Sequence, residues 1–470
     1  MNKRFDVFIL ITIIILIALT TLHLIKKQQK KIAFIHPGWI LVIVSSIYAL
    51  FVPIAYLFLG DDLYKAYIDV SNNFQEDYFI KIIGMYTILL LSFLYSQGLI
   101  IIISKIKQRS KYYSGRAVKI NSVKPIKKHA NKIVTVVLLI IGVYLIYIRF
   151  NAVGGFVSAI TLSRRDLADA IADTGLFSRY EYFFQGFFIL NLSSILTEHS
   201  KKTPKIAFII SLISYTLYLL LMGVRLNIIV LLLGLFFVLY TSTLVVFNKK
   251  HNKVFNSKFW YNNKKKILVF TFIAFLFFGW YTFQRANVRS TLIGESIDFN
   301  KVNYVSLLFP SEFSTGYVPG LIMMNRGWNT LGPPYWQKFF PSSVLALLGV
   351  EQSMTVAKEL AWNLHGLGRA PVYTITLPID IYLGTSSMVL IFVVGSLIYL
   401  VFWKLLSSLS KKGYWGTCFS ALIFLNLFYV IRVEAANWFP RIWQSSAILF
   451  ITWLTYLLLS RIEVREQRNL

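Results

Sequence analysis

Long apolar runs are the feature of this chain that most constrains its fold. Eleven stretches are apolar over about 18 residues or more, the length at which a helix can cross the hydrocarbon core of a membrane. Backbone polar groups inside lipid must bond within their own segment, so such runs form helices. The sequence therefore predicts an all-α polytopic integral membrane protein. The predicted spans lie near 5–25, 32–59, 78–104, 133–150, 180–197, 206–224, 226–247, 267–284, 376–403, 414–431 and 443–460.

The positive charge of the chain falls almost entirely on one side of these spans. The formal net charge is +28, although only 14% of the residues are charged, well below the roughly 25% of a soluble domain. Short basic loops mark the cytoplasmic side of a membrane. The charge therefore predicts orientation, and an apolar chain of this kind is not a soluble nucleic-acid-binding protein. Thirty of the 48 basic residues, with three acidic ones, lie in 26–31, 105–132, 198–205, 248–266, 404–412 and the tail 461–470.

The type of basic residue also changes across the predicted membrane. The six cytoplasmic segments contain 25 Lys and 5 Arg, whereas the remainder contains 6 Lys and 12 Arg. Orientation needs only positive charge, but the planar guanidinium is preferred where phosphate or carboxylate must be held. The outer side is therefore enriched in anion-binding residues. Pairing with the outer acidic residues is the structural alternative for each arginine.

A long external loop divides the chain into three predicted parts. Residues 1–284 form an N-terminal bundle of eight spans, and 376–470 form three further spans with a cytoplasmic tail. Between them, 285–375 is rich in Gly, Pro and aromatic residues and has short amphipathic stretches such as 350–364. A loop of this length is functional or disordered, and its aromatic content favours an ordered external subdomain.

Several arginines stand at helix ends or in turns of this outer side. Arg225 lies between two apolar runs, where a charge is a functional hypothesis by default. Arg432 and Arg441 bracket a predicted ten-residue external turn, IRVEAANWFPRIW. Arginines that converge from separate helix ends predict a site for a diphosphate, although contacts with lipid headgroups would give the same composition. The other candidates are Arg285, Arg289, Arg326 and Arg369.

Three stretches resemble a known family. They are GVRLNIIVLLLGLF at 223–236, GRAPVYTITLPIDIYLG at 368–384 and IRVEAANWFPRIW at 431–443. In pattern and order, roughly 150–460 resembles the bacterial oligosaccharide repeat-unit polymerases, the Wzy or O-antigen polymerase group, with a likeness to enterobacterial common antigen polymerases. Literal identity is sparse. The resemblance implies a GT-C-like glycosyltransferase architecture and an active site on the periplasmic or extracellular side of the bacterial cytoplasmic membrane. Arg164 also begins an R-x10-G pattern found in some members.

The implied reaction suits these residues. A glycan is transferred from undecaprenyl diphosphate to the sugar end of another lipid-linked repeat unit. Fixed guanidinium groups would stabilise the negative charge that develops on the leaving diphosphate. The first candidates for this role are Arg432, Arg441 and Arg225, followed by Arg285 and Arg369. A carboxylate or imidazole must accept the proton of the acceptor hydroxyl, and Glu434 or His365 could do so, with Glu312 a weaker candidate. The alternatives are that Glu434 only pairs with Arg432 and that His365 only packs its loop.

No cofactor or metal is predicted. The lipid diphosphate is already an activated leaving group, and the sequence has no nucleotide-binding glycine motif. Asp61 and Asp62 form one carboxylate pair and Asp166 and Asp169 another, but a hard cation needs more oxygen ligands than either pair supplies. The remaining histidines, His36 among them, lie near helix ends or in inner loops and are predicted to have no role in the site.

Three other functions remain open, of which the simplest is a structural membrane anchor for a cell-wall complex. An O-antigen ligase would use the same donor with a different acceptor. A lipid-linked glycan flippase should have internal repeats and broken helices that meet at the middle of the bilayer, and the sequence has no such repeat. The predicted partners are undecaprenyl-diphosphate-linked oligosaccharides and the bilayer, with a chain-length regulator and a flippase as further candidates, and no nucleic acid.

Overall fold

The fold is all-helical over the part of the chain that a computed structural model describes. These residues are 3–29, 32, 35–59, 75–114, 128–155, 180–197, 202–221, 317–325, 348–350, 375–409, 413–432 and 435–469. They form eleven helices and no strand. The helices are α1 (Lys3–Gln29), α2 (Gly38–Leu59), α3 (Glu76–Ser114), α4 (Lys128–Val153), α5 (Tyr180–Thr197), α6 (Lys202–Leu221), α7 (Tyr317–Asn325), α8 (Leu377–Thr385), α9 (Met388–Leu409), α10 (Gly413–Arg432) and α11 (Ala435–Asn469).

Six of the helices in the described ranges are long and apolar enough to cross a membrane. This agrees with the prediction of a polytopic membrane protein. Nine of the eleven predicted spans overlap a described helix, and the other two, 226–247 and 267–284, lie outside the described residues. The six candidate spans are Arg4–Gln29, Gly38–Phe58, Glu76–Ile106, Lys132–Ala152, Met388–Leu409 and Ile442–Ile462.

Contacts divide the chain into two compact units built from interleaved segments. The first unit consists of Met1–Asn121, Asn303–Ser407 and Asn426–Ile442. The second consists of Ser122–Val302, Ser408–Leu425 and Trp443–Leu470. The division into three parts along the chain stays a prediction.

The first unit is centred on α3. Helices α1 and α2 pack on α3 and on each other, and the short helices α7 and α8 also pack on α3. The core side chains of α3 include Phe79, Tyr86 and Phe93, all fully buried. Close approach to α9 occurs where a Cβ on Gly395 would overlap Ser92 Oγ. Such a small residue allows two membrane helices to pack backbone to backbone.

The second unit is centred on α5. Helices α4 and α6 pack against it and against each other. Gln185 of α5 accepts a hydrogen bond from the Ser445 hydroxyl of α11 at 3.0 Å, and Gly186 lies beside Ile448 of the same helix. A hydrogen bond beside a glycine is a common way to join helices in lipid, where burial of apolar side chains drives little association.

One predicted span is interrupted in the structure. The run 376–403 forms the nine-residue α8 and then α9, which are separated by Ser386 in the left-handed region at φ 55°. The Ser386 N–H bonds the Tyr382 carbonyl and closes α8. Only α9 is long enough to span. The small polar residues Thr385, Ser386 and Ser387 are the sequence signal for this break, hidden inside a continuously apolar window.

Two further differences concern the segments that flank the predicted outer side. Helix α7 belongs to the long loop 285–375, yet Tyr317 and Leu321 are fully buried rather than exposed on a surface helix. The predicted ten-residue turn after α10 is too long, because α10 ends at Arg432 and α11 already begins at Ala435. Alanines are strong helix formers, so the helix starts before Pro440, and Arg441 lies within it.

Candidate functional site at one end of the first unit

Buried hydroxyl groups join the two short helices to the long ones in the first unit. Tyr86 of α3 and Thr376, the residue that precedes α8, share a hydrogen bond of 2.6 Å. The Tyr317 hydroxyl of α7 donates to the carbonyl of Ala49 in α2 at 3.2 Å. Most buried hydroxyls are paired, and these two bonds attach α7 to α2 and the start of α8 to α3.

Aromatic stacking strengthens the same region. The rings of Tyr86 and Tyr317 stack with centroids 5.5 Å apart, and Phe79 contacts both Tyr317 and Tyr56. Tyr56 in turn donates its hydroxyl to the Glu76 carboxylate at 2.5 Å, a bond between α2 and the first residue of α3. Aromatic pairs of this kind add to the energy of simple burial. These contacts join α2, α3 and α7 at one place.

A buried carboxylate lies in the first turn of α8. Asp380 is 0% exposed and is the one fully buried carboxylate among the described residues. Its backbone N–H bonds the Thr376 carbonyl at 2.9 Å, which begins the helix. The positive end of the helix dipole favours an anion at this position. A carboxylate withdrawn from water is costly and in a membrane protein indicates function.

A cation faces the aromatic ring that follows Asp380 on α8. The Lys81 ammonium of α3 lies 4.6 Å from the centroid of the Tyr382 ring. Both side chains are half-buried. The hydroxyl cluster is the name used below for Tyr56, Tyr86, Tyr317 and Thr376 together with Asp380, Lys81 and Tyr382.

Arg432 is the predicted site residue for which the structure describes both the backbone and the burial of the side chain. Residues 420–431 of α10 are all buried, so this helix is surrounded by protein along that length. Arg432 is its last residue, is half-buried, and has its Nε atom buried. A cation at a helix C-terminus is favoured by the dipole. This arginine therefore ends a buried helix and does not belong to a long solvated turn.

Of the remaining predicted site residues, one is described by its backbone alone and the others lie outside the described residues. Arg441 is placed by its backbone in α11 and falls, like Arg432 and the hydroxyl cluster, in the first unit. The same carboxylate pairs that were weighed as metal ligands, Asp61–Asp62 and Asp166–Asp169, lie outside the described residues. So do the weaker candidate Glu312 and the candidates Arg164, Arg225, Arg285, Arg289, Arg326, Arg369, Glu434 and His365.

No metal-binding group is found within the described ranges. Sets of three or more His, Cys, Asp or Glu side chains that could hold an ion are absent there. Cys418 is buried and is not part of a disulfide. The absence of a metal from the reaction stays a prediction that rests on the sequence.

A second polar cluster lies elsewhere in the first unit. The Tyr399 hydroxyl of α9 donates to Gln97 of α3 at 2.9 Å, and the Gln97 amide donates to Gln28 of α1 at 2.6 Å. The backbone N–H of His36 donates to Gln29 at 2.8 Å, and the His36 ring lies beside that of Tyr399. These five residues are called the amide cluster below.

His36 of the amide cluster is held neutral. Complete burial lowers the pKa of its imidazole to about 3, because the imidazolium would lose its hydration. Nδ1 accepts the Gly38 N–H at 3.1 Å, so the neutral ring has its proton on Nε2. That Nε2 is buried and has no hydrogen-bond partner in the described part of the chain. The prediction that His36 has no role in the site stays a prediction. The structure adds that its backbone N–H bonds Gln29 at the end of α1 and its Nδ1 accepts the N–H of Gly38 at the start of α2.

No family model matches the chain, and neither a curated protein nor a solved structure matches it significantly. The candidate site therefore rests on the residues themselves. Sequence reasoning singled out Arg432 but missed Lys81, Asp380 and Tyr382. The signal was present, because Lys81 and Asp380 are charged residues inside the predicted spans 78–104 and 376–403, where a charge indicates function.

Proposed function

We propose that this chain is a membrane glycosyltransferase that polymerises undecaprenyl-diphosphate-linked oligosaccharide repeat units into a surface polysaccharide. The reaction would take place at the outer face of the bacterial cytoplasmic membrane. The proposal includes the eleven-span, GT-C-like architecture implied by the resemblance to O-antigen polymerases. The described all-helical fold is compatible with that architecture.

The observation that most supports this function is the placement of Arg432. A guanidinium that follows the buried stretch 420–431 is partly shielded from water, and its Nε is buried. Charge interactions are stronger where water is excluded. A fixed cation of this kind stabilises negative charge without having to reorganise during the reaction. The leaving group of the proposed reaction, a lipid diphosphate, develops such a charge.

The proposed chemistry is a single displacement at the anomeric carbon. The acceptor hydroxyl oxygen forms a bond to that carbon while the bond from carbon to diphosphate oxygen breaks, and the electron pair of the broken bond leaves with the diphosphate. Arg432 and Arg441 would stabilise this leaving group. The hydroxyl proton passes to a base, for which Glu434 and His365 are the candidates. No metal or nucleotide is needed.

Before the reaction, the other arginines of the outer side would hold the diphosphate of the bound donor. Arg225, Arg285 and Arg369 are candidates because each lies at a helix end or in a turn of the predicted outer side. Bidentate contacts from guanidinium groups suit phosphate oxygens. Arg164, Arg289 and Arg326 would contact the diphosphate or the glycan.

A deletion strain with plasmid-borne variants tests this function. Arg432→Ala is expected to leave surface glycan of a single repeat unit, where the wild type gives a ladder on a gel. Arg432→Lys keeps the positive charge but loses the planar guanidinium, and it is expected to shorten the ladder. The matched control is Arg461→Ala, because Arg461 is exposed on α11 at the predicted cytoplasmic tail. Expression of each variant is checked by immunoblot.

The same gel separates the alternatives. Loss of polymer from its acceptor without a change in chain length on the lipid carrier would show a ligase. Accumulation of lipid-linked units on the inner face would show a flippase. A full ladder from Arg432→Ala, at normal expression, would exclude the assigned role of Arg432.

A further inference from the structure

We propose that Lys81, seated on the ring of Tyr382, binds the phosphate of a lipid at the end of the first unit that holds the hydroxyl cluster. Lys81 is half-buried and lies within the candidate span Glu76–Ile106. The residues predicted from the sequence to contact a diphosphate are arginines and do not include this lysine. A charged side chain inside such a span indicates function.

The contact with Tyr382 holds the cation without neutralising it. The ammonium lies 4.6 Å from the ring centroid and is attracted by the ring quadrupole. The partner that the structure shows for Lys81 is this ring. Asp77, one turn earlier on α3, is exposed to solvent, where an ion pair is weak. The full positive charge of Lys81 therefore remains available to an anion.

The surroundings hold the ring in place. Tyr382 belongs to α8, whose start is joined to α3 by the hydrogen bond between Thr376 and Tyr86. The same helix α3 contains Lys81. The cation and its ring thus belong to two elements that are hydrogen-bonded to each other, which favours the contact between them.

The chemistry of the ligand follows from the position. A lysine is a point charge that suits phosphate, and the charge distribution predicts that this end of α3 is the outer one. A lipid phosphate at that level could belong to an anionic phospholipid or to the polyprenyl diphosphate of the proposed reaction. The second source rests on the proposed function, whereas phosphate binding does not.

Native mass spectrometry of the full chain in a non-ionic detergent tests the inference. The probes are a polyprenyl diphosphate, phosphatidylglycerol and the uncharged polyprenol. Lys81→Met is expected to weaken binding of the polyprenyl diphosphate about tenfold or more, as for loss of a hydrogen bond to a charged group. Tyr382→Leu should weaken it less and Tyr382→Phe hardly at all, because only the ring face holds the ammonium. Polyprenol binding should not change.

Lys105→Met is the matched control, since Lys105 lies on the same helix but is exposed near its other end. Equal losses for the diphosphate and phosphatidylglycerol would identify a general phosphate site, and a loss for the diphosphate alone would identify the lipid carrier. Unchanged diphosphate and phosphatidylglycerol binding by folded Lys81→Met would overturn the inference. If the deletion strain keeps its glycan ladder while Lys81 still governs phosphate binding, the proposed function fails and the inference stands.

Discussion

The two polar clusters of the first unit differ in the charge of their side chains. The amide cluster closes on itself through amide, hydroxyl and neutral imidazole groups, and burial keeps His36 uncharged. The hydroxyl cluster contains a fully buried carboxylate, Asp380, and a half-buried cation, Lys81, which is held by a ring.

This difference distinguishes a neutral cluster that joins helices from a cluster that contains charged groups. Neutral groups that bond one another join helices in lipid at little electrostatic cost. Charged groups are costly to bury and persist where they serve a purpose. The charge distribution of the loops predicts that the amide cluster lies toward the cytoplasm and the hydroxyl cluster toward the outside. The candidate chemistry and the charged cluster thus share the predicted outer side.

The largest expected effect concerns the tightness of the amide cluster. A Cβ on Gly38 would overlap the Tyr399 hydroxyl and lie 2.8 Å from Ile25 Cδ1, whereas a Cβ on Gly84, between Lys81 and Tyr86 on α3, meets nothing within 4 Å. Gly38→Ala should therefore destabilise the protein by about 1–3 kcal/mol, the usual cost of overpacking. Gly84→Ala should stabilise it by roughly 0.5–1 kcal/mol through helix propensity. Thermal unfolding in detergent measures both.

Equal melting temperatures for the two alanine variants would mean that the amide cluster is not closed. The helical Gly98→Ala provides a second control, because its Cβ also meets nothing within 4 Å.

An effect of comparable size is expected from the hydrogen bond of the hydroxyl cluster. Tyr86→Phe removes one partner of the 2.6 Å bond to Thr376 and leaves the other hydroxyl buried. The cost should be about 1–3 kcal/mol, and Thr376→Val should cost a similar amount. The double variant should cost less than the sum, because no unpaired hydroxyl remains. Strict additivity of the three unfolding free energies would show that the bond does not form.

At neutral pH the smallest effect is expected from His36, because its ionisation changes stability only as the pH falls below about 6.5. The pKa of its imidazole is near 3 in the folded protein and about 6.5 when unfolded. The unfolded state therefore binds more protons at acidic pH, and stability is complete above pH 6.5 and falls as the pH drops below it. The slope should reach about 1.4 kcal/mol per pH unit. His36→Asn, which can still accept the Gly38 N–H, should lose this contribution. Unfolding followed between pH 7.5 and 5 in wild type and variant measures the difference, and equal pH slopes would contradict the assigned burial.

Most of the helices could be predicted from apolar runs because lipid requires long continuous helices, and α10 matches its predicted limits closely. The break at Ser386 could not be predicted in this way. A hydropathy average over a long window stays high across two small polar residues, so it does not show that a helix ends there. The position of α7 was also beyond prediction. Its nine residues are too few to span, and only packing against α3 shows that Tyr317 is buried.

For the site, spacing and residue type identified Arg432 but not its surroundings. A short apolar sequence such as LPIDIYLG is compatible both with part of a span and with a separate buried helix that precedes a span. Lys81 and Tyr382 are about 300 positions apart in the chain, and no local pattern predicts that one faces the other. Such a pairing depends on how α8 is placed on α3.

The sequence by itself determined the class of the protein and its predicted orientation. Long apolar runs and basic loops respond to the bilayer, a solvent that acts on each segment separately. Only the tertiary structure decided that Asp380 is buried and that Lys81 rests on Tyr382. The same packing placed Arg432 at the end of a helix that is surrounded by protein. Those facts depend on contacts between segments distant in the chain, and composition leaves such contacts open.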